Sequence, residues 1–385
     1  MPSLAVEGCT GSRGRGTGRR EGGRQAGLHM SWRTNGLKRA ALSALHFSGA
    51  DGLMAPLTRG AGVIFSLRHV GQVRRDAFAP DSTHGVTPEF LETVIGLVLG
   101  RGFDVLSLDE VHFRLSEGDL DRPFACFTFD DGCKDVLQHA YPIFRKHNLP
   151  FATYVASDYA DGRGDVWWLA LEMAIRAAKV VELKVAGVVR KLACATTAEK
   201  TATYHKLHGW LRGIAEDDAR QTVAELCRAH GLDVSGVCRG LVMGWDEIRD
   251  LSRDPLVTIG ARTRRHYALS GLPMAGARLE IEASVQRIES ELGRPCRHFS
   301  YPYGDARSAC QRDFDLVREL GLKTAVTMRN DLVHPRHSRA LTALPRIALN
   351  AEFQRVRYVK VMLSGIPRVS SNGALSAQLR PAAAS

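Results

Sequence analysis

An unbroken apolar run that ends at two adjacent carboxylates is the feature that most constrains the fold of this chain. Residues 124–129 are apolar or β-prone throughout, and Asp130-Asp131-Gly132 follows at once. A run without polar alternation is typical of a strand that is buried on both faces, as in a parallel sheet covered by helices. The segment therefore predicts an α/β protein with a buried parallel strand here.

Further strands and helices alternate along the chain, which is the signature of a parallel α/β sheet. Strands are predicted at 63–67, 103–108, 124–129, 151–156, 257–261, 298–301 and 323–328. Helices are predicted near 37–45, 87–99, 134–147, 245–251, 275–292, 309–320 and 352–363. Six or seven strand–helix units are too many for a small doubly wound domain, so a barrel is expected.

The composition predicts four regions along the 385 residues. Residues 1–29 contain eight Gly and five Arg with almost nothing to bury, so this stretch is expected to be disordered. Residues 30–62 are predicted to be a helical lead-in, and 63–366 the main domain with a helical insertion at about 166–244. The Ser/Ala-rich segment 367–385 is predicted to be a loose tail.

Charge and cysteine usage exclude several classes of protein. The formal net charge is +11, but residues 1–60 hold nine Lys/Arg against three Asp/Glu, so over half of the excess lies there. The rest shows no basic stripe interleaved with aromatics, so no nucleic-acid partner is predicted. The eight Cys form no C-x-x-C pair. Scattered thiols, with no signal-peptide core or long apolar run, predict a cytoplasmic protein without stable membrane insertion.

The candidate chemistry lies directly after predicted strands, where parallel α/β folds form their sites. Asp130 and Asp131 suit a pair of roles, one as metal ligand and one as proton acceptor. The same Asp-Asp-Gly sequence also makes ordinary acidic turns. After the strand at 257–261 comes His266, which alone is a weak signal for a ligand. After the strand at 298–301 comes Pro302-Tyr303-Gly304, a tight turn that can aim a backbone N–H at a substrate oxygen.

In this order the three motifs resemble the polysaccharide deacetylase family, which includes the chitooligosaccharide deacetylases of nodulation-factor synthesis. The family's T-F-D-D-G motif is matched by residues 128–132, and its P-Y-G ending by 302–304. Its H-[S/T]-x-x-H motif falls on 262–266. The resemblance extends over about 63–366 and implies a distorted (β/α)7-type barrel. It also implies hydrolysis of N-acetyl groups from a glycan such as a chitooligosaccharide.

The resemblance assigns roles to individual residues. Asp130 corresponds to the catalytic base, which would deprotonate a metal-bound water. Asp131 and His266 correspond to metal ligands, and zinc is the expected metal. Tyr303 corresponds to the residue whose backbone N–H holds the oxyanion.

Other roles rest on location alone. The family's general acid is a late histidine, and His334 and His337 are the candidates for it. Pro302 is a candidate for substrate contact. Trp168 could form a sugar-stacking platform, or it could anchor the helical insertion in the core.

The chain departs from the family pattern at a metal ligand. Arg262 stands where the first His of the second motif belongs, and an arginine has no lone pair with which to bind a cation. Leu67-Arg68 stands where members often carry Tyr/Phe-His, with His69 shifted by one, and His69 is a candidate substitute for the missing ligand. The third motif lacks its usual arginine, for which Arg294 is a candidate substitute.

Three functions therefore stay open. The first is an active metal-dependent carbohydrate N-deacetylase, and the alternative is an impaired member that binds an N-acetylated glycan without turnover. The third is an amide hydrolase with a non-sugar substrate. The sequence does not determine the oligomeric state.

Overall fold

The computed structural model describes residues 30–72, 76–185 and 188–366, and the predicted disordered segments 1–29 and 367–385 lie outside them. The strands are β1 (Gly62–Leu67), β2 (His69–Val70), β3 (Gly85–Val86), β4 (Asp104–Val105), β5 (Phe124–Phe129), β6 (Phe151–Val155), β7 (Val180–Val185), β8 (Val188–Ala193), β9 (Val257–Ala261), β10 (His298–Ser300), β11 (Thr324–Val326) and β12 (Ile347–Ala348). The α-helices are α1 (Met30–Phe47), α2 (Ala50–Thr58), α3 (Pro88–Gly100), α4 (Leu108–Glu117), α5 (Tyr141–Lys146), α6 (Ser157–Ala160), α7 (Trp167–Ala177), α8 (Thr197–Leu211), α9 (Glu216–Ala229), α10 (Val237–Leu241), α11 (Trp245–Ser252), α12 (Met274–Leu292), α13 (Gln311–Glu319) and α14 (Val356–Ser364).

The main sheet is parallel and curls into a distorted (β/α)7-type barrel, as predicted. Its order is β11-β10-β9-β6-β5-β1-β12, and β4 also pairs with β5. All of these pairs are parallel, so the carboxyl ends of the strands meet at one end of the barrel. The motifs that follow β5, β9 and β10 are thereby brought together.

Strand β5 is buried on both faces, which confirms the prediction from its apolar run. Phe127 and Phe129 pack in the large core beneath the outer helices. Phe124 and Cys126 pack in a separate cluster inside the barrel. Successive side chains of a strand point to opposite faces, so each face of β5 supplies a different core.

The long predicted helix over 134–147 is not one regular helix. A π-helical turn, Val136–Ala140, precedes the α-helix Tyr141–Lys146. Pro142 lacks the N–H that an α-helix needs at this point, so the regular hydrogen-bond ladder cannot run through it. The turn begins just after Cys133 and Asp135.

The insertion has a core of its own around α7, α8 and α9. It is mostly helical, but it also contains the antiparallel hairpin β7–β8, which was not predicted. Among the described residues, no helix is both long enough and apolar enough to cross a membrane.

Candidate active site

A pocket of about 270 Å³ lies at the carboxyl ends of the strands. The barrel lines it with Arg68 after β1, Asp130 and Asp131 after β5, Arg262 and His266 after β9, and Tyr303 after β10. The insertion lines it with Trp168, Tyr204, His208 and Arg212. The structure therefore brings the three sequence motifs into one pocket, and the insertion forms one of its walls.

The backbone is strained at these strand ends. Asp131, Thr263, His266 and Tyr303 all have left-handed φ angles between 56° and 70°. Such angles are uncommon for residues other than glycine, and Thr263 is β-branched, which makes its φ of 56° a true outlier. Strained backbone of this kind clusters at functional sites. The three turns are held in shapes that ordinary loops avoid.

Asp130 is held by an arginine that forms two hydrogen bonds with it. Arg346 Nη1 donates to Oδ1 at 3.0 Å and Nη2 donates to Oδ2 at 2.9 Å. The Ser300 hydroxyl donates to Oδ1 at 3.0 Å, and Arg262 Nη1 lies 3.0 Å from the same oxygen. Burial alone would raise the pKa of Asp130, but Arg262 and Arg346 outweigh it and lower the pKa.

Asp131 lies between two guanidinium groups. Arg262 Nε donates to Oδ1 at 2.6 Å, and Arg68 Nε lies 2.7 Å from Oδ2. Burial opposes ionisation here too, yet Arg262, Arg68 and His266 together hold the pKa of Asp131 well below its usual range. Both oxygens of this carboxylate are thus occupied by cationic side chains.

His266 is fully enclosed by aromatic rings. Tyr159 stacks on its imidazole, and the ring centroids of Trp168 and Tyr303 lie 5.1 and 4.9 Å from it. Its Nε2 is 3.2 Å from Asp131 Oδ1, but neither ring nitrogen has a hydrogen bond of good geometry among the described residues. Burial lowers the pKa of His266, so the imidazole is neutral near pH 7.

These residues do not fit the metal that the sequence predicts. Asp131 and His266 are close enough to share an ion, but Arg262 and Arg68 occupy the positions beside them, and neither offers a lone pair. Among the described residues, no group of three ligand side chains includes Asp131 and His266. A cation bound to Asp131 would also face the guanidinium groups of Arg262 and Arg68, which contact the same carboxylate. The prediction of zinc at Asp131 and His266 is therefore not met by the geometry.

Two arginines of this site were not assigned a role from the sequence. Arg346 is completely buried, and its Nε and Nη1 also donate to Thr327 O and Thr128 Oγ1. It supplies the charge that Arg294, which is exposed, was expected to supply. The available signal was a lone arginine within the apolar stretch 341–349. Arg68 was noticed only as a departure from the family pattern.

Tyr303 lies in the pocket, where its hydroxyl accepts a hydrogen bond from Trp167 Nε1 at 2.8 Å. The role of its backbone N–H stays a prediction. Trp168 is buried but lines the pocket, with the Arg68 guanidinium 4.5 Å from its ring centroid. Pro302 is buried in its turn and is not among the residues that line the pocket, so direct substrate contact by Pro302 is not supported.

His334 and His337 lie at the wrong end of the barrel for a general acid. Val333, next to His334, bridges to Gly62 at the start of β1, whereas the pocket lies at the end of that strand. A six-residue strand spans roughly 16 Å between these ends. His334 and His337 also pack on each other, with ring centroids 5.9 Å apart. The structure therefore places neither histidine in the pocket, and their catalytic role stays a prediction that this location does not support.

Comparison with known proteins agrees with this architecture. The sequence model of the polysaccharide deacetylase family matches residues 117–325, more than half of the chain. The deacetylase PplD from Streptococcus pyogenes has a similar structure, with a TM-score of 0.51 and 14% identity, over 78% of this chain and 97% of its own. IcaB from Ammonifex degensii gives a TM-score of 0.49 and 16% identity, over 79% and 97%. At such identities the likeness concerns the fold alone. None of the curated protein sequences compared with the chain matches it.

Proposed function

Because the chain belongs to the polysaccharide deacetylase family, a family of hydrolases that act on carbon–nitrogen bonds, we propose that it hydrolyses the acetamide of an N-acetylated carbohydrate without a metal at Asp131. The observation that carries the proposal is the pocket itself, where Asp130 and three arginines adjoin a wall of aromatic rings. A pocket of about 270 Å³ is small for a ligand site and accommodates one sugar-sized unit.

The aromatic wall suits a sugar ring. Trp168, Tyr204 and Tyr303 line the pocket beside the strand ends, and the apolar face of a pyranose packs well on such rings. The charges of the site cancel, since Arg68, Arg262 and Arg346 are paired with Asp81, Asp130 and Asp131. A neutral glycan therefore fits this pocket better than a strongly charged one.

Arg68 supplies the positive charge at the reacting carbonyl in this proposal. Its Nη1 donates to Asp81 and its Nε forms an ion pair with Asp131, while neither Nε nor Nη2 has a hydrogen bond of good geometry among the described residues. A guanidinium N–H that is aimed in advance stabilises the oxyanion that forms when water attacks an amide. Asp130 takes the proton of that water and returns it to the amide nitrogen, so that the C–N bond breaks and acetate and the free amine leave. A guanidinium does not acidify water as a metal does, so slow turnover is expected.

The test is acetate release from N-acetylchitooligosaccharides, measured together with the free amine. Wild-type protein is expected to release both, and Asp130→Asn to lose at least ~100-fold of the rate, the usual contribution of a general base. Asp315→Asn, a surface carboxylate far from the pocket, is the matched control and keeps the rate. No acetate from the wild type would contradict the proposal. A panel of non-sugar amides tests the remaining substrate class in the same assay.

Glycan binding without turnover is the second candidate, and one observation favours it. Both oxygens of Asp130 accept hydrogen bonds from Arg346, and its lowered pKa makes it a weak base. Calorimetric titration with the same oligosaccharides separates the two functions. Binding that is weakened by Trp168→Ala, with no acetate from any variant, supports this candidate and excludes the first.

A further inference from the structure

A second cluster of metal-ligating side chains lies behind the pocket, and we propose that it binds a zinc ion. His69, Cys133 and Asp135 each offer one ligand atom, and these atoms all lie within 4.8 Å of one another. Thiolate, imidazole and carboxylate together are a donor set that zinc prefers. The site is separate from the Asp131–His266 pair and does not depend on the proposed deacetylation.

The fold brings the three ligands together from two neighbouring strands. His69 follows β1, and Cys133 and Asp135 follow the Asp-Asp-Gly turn after β5, which pairs with β1 along its whole length. Asp135 stands at the start of the π-helical turn Val136–Ala140. Such turns are rare and occur frequently at functional sites.

The cluster contains polar atoms that the protein leaves unsatisfied. His69 Nδ1 lies 2.8 Å from Asp135 Oδ2, which satisfies one atom of each side chain. His69 Nε2 and Asp135 Oδ1 are buried and have no hydrogen-bond partner among the described residues. Asp81 Oδ2 lies 3.6 Å from His69 Nε2, beyond hydrogen-bond distance. Buried polar atoms without a partner are costly, and an ion that binds His69 Nε2 and, after Asp135 rotates away from Nδ1, Asp135 Oδ1 would satisfy both.

The distances suit a site that closes on its ion. In a tetrahedral zinc site, bonds of about 2.0–2.3 Å put neighbouring ligand atoms roughly 3.5 Å apart. Ligand atoms now within 4.8 Å reach that spacing by movements of about 1 Å, which side-chain rotation supplies. Asp81 or a water supplies the fourth ligand, since both His69 and Asp135 border an adjoining cavity of about 200 Å³ that Asp81 also lines.

The surroundings explain why zinc would bind here and not at Asp131. The oxygens of Asp131 are occupied by Arg262 and Arg68. The thiol of Cys133 is completely buried. It gives this cluster a soft ligand, which the Asp131–His266 pair lacks. The cluster of His69, Cys133 and Asp135 should therefore bind zinc more tightly than the Asp131–His266 pair.

The test is zinc titration of the full chain after metal removal with a chelator, with cobalt as a spectroscopic probe. One zinc per chain is expected, and the cobalt form should show the charge-transfer absorption of a thiolate ligand. Cys133→Ser should abolish that band and weaken zinc binding roughly 100-fold or more, as loss of a ligand does. Cys296→Ser, which changes another buried thiol away from the cluster, is the matched control and should keep both signals.

Asp135→Asn provides a second variant in case Cys133→Ser does not fold, because Asp135 is partly exposed and tolerates an isosteric change. It should fold, as judged by circular dichroism, and bind zinc more weakly. Equal zinc affinity in the wild type, Cys133→Ser and Asp135→Asn would overturn the proposal, as would no zinc binding at all. Zinc binding that is lost in Asp131→Asn and kept in Cys133→Ser would place the ion in the pocket and overturn it too. None of these results depends on acetate release.

Discussion

At the scale of single residues, guanidinium groups compensate the two buried carboxylates of the pocket. Two buried carboxylates side by side need compensating positive charge, because neither can ionise in a low dielectric without it. Arg262 contacts both Asp130 and Asp131, and Arg68 and Arg346 complete the compensation. The lowered pKa values of both carboxyls follow from this arrangement.

Arg346→Met should destabilise the protein strongly. The substitution leaves Asp130 buried with less positive charge and removes the donor to Thr128, so a loss of about 3–5 kcal/mol in the free energy of unfolding is expected. Urea denaturation measures it. Arg318→Met, which breaks an exposed ion pair with Asp315, should cost less than about 1 kcal/mol. Equal losses in the two variants would contradict the inferred role of Arg346.

Arg262→His should restore part of the missing metal site. It gives Asp131 and His266 a third possible ligand, but Arg68 stays 2.7 Å from Asp131 Oδ2. Zinc binding is therefore expected to be weak in Arg262→His and tighter in Arg68→Gln/Arg262→His.

Both variants are measured in a Cys133→Ser background, so that the second cluster does not contribute. Arg318→His adds a surface histidine as the control and should bind no more zinc than its parent. If neither Arg262→His nor Arg68→Gln/Arg262→His changes the zinc affinity, the two arginines are not the only obstacle to zinc binding at Asp131 and His266.

The sequence predicted part of this site. Asp130, Asp131 and His266 were found because they belong to short sequence motifs that directly follow predicted strands. Arg346 was missed because its partners Thr128 and Asp130 lie more than 200 positions away, and a lone arginine carries no local sign of them. His334 and His337 were chosen for their chemistry and their late position in the chain, but the chain returns to the start of β1 at that point and the pocket lies at its end.

At the scale of secondary structure, elements with strong local signals were predicted well. Helix α3 begins where the Thr87-Pro88-Glu89 pattern indicated, with Thr87 Oγ1 accepting from Phe90 N. Strands β5 and β9 have the predicted bounds. The hairpin β7–β8 was missed, because its two strands lie within a helix-rich segment and are held by pairing with each other. The π-helical turn was missed because its hydrogen bonds depend on Pro142 and on tertiary contacts.

Helix α4 offers a test of a purely local contribution. Ser107 caps it by accepting from Glu110 N at 3.2 Å, and Glu110 Oε2 accepts from Ser107 N at 2.7 Å. Ser107→Ala should therefore cost about 1 kcal/mol of stability, measured by thermal or urea unfolding. Ser116→Ala, an exposed change inside the same helix, should cost nothing. A negligible effect of Ser107→Ala would show that tertiary packing alone fixes this helix start.

At the scale of the whole molecule, the barrel and the insertion build one pocket. The barrel was predicted from the number of strand–helix units, because each unit can be recognised in the sequence by the hydrophobic periodicity of its strand and helix. The wall from the insertion was predicted only at Trp168, because the sequence does not show which face of an inserted helix meets the barrel. His208 of α8 belongs to that wall and packs between Trp167 and Tyr204.

The stability of the protein should depend on pH through His208. Burial and the nearby Arg212 lower its pKa to about 4, below the value of about 6.5 for an unfolded chain. The unfolded state then binds the proton more readily than the folded state. The contribution of neutral His208 to the free energy of unfolding is therefore complete above pH ~6.5 and is lost as pH falls through ~4. His208→Phe keeps the aromatic packing without the titration.

The free energy of unfolding of His208→Phe should therefore fall less than that of the wild type between pH 7 and pH 4, by roughly 1–3 kcal/mol. Urea unfolding at several pH values measures the difference. His230→Phe, on a half-buried histidine directly after α9, is the control. Parallel pH profiles for the wild type and His208→Phe would contradict the expected contribution.

The arginines around Asp130 and Asp131 also bear on how the pocket is assembled. A site built on a divalent ion is unfinished when translation ends, and it depends on the supply of that ion in the cell. Here the compensating cations are written into the polypeptide as Arg68, Arg262 and Arg346. The charges of Asp130 and Asp131 are therefore compensated as soon as the chain folds, and this compensation does not wait for an ion to be loaded at the pair.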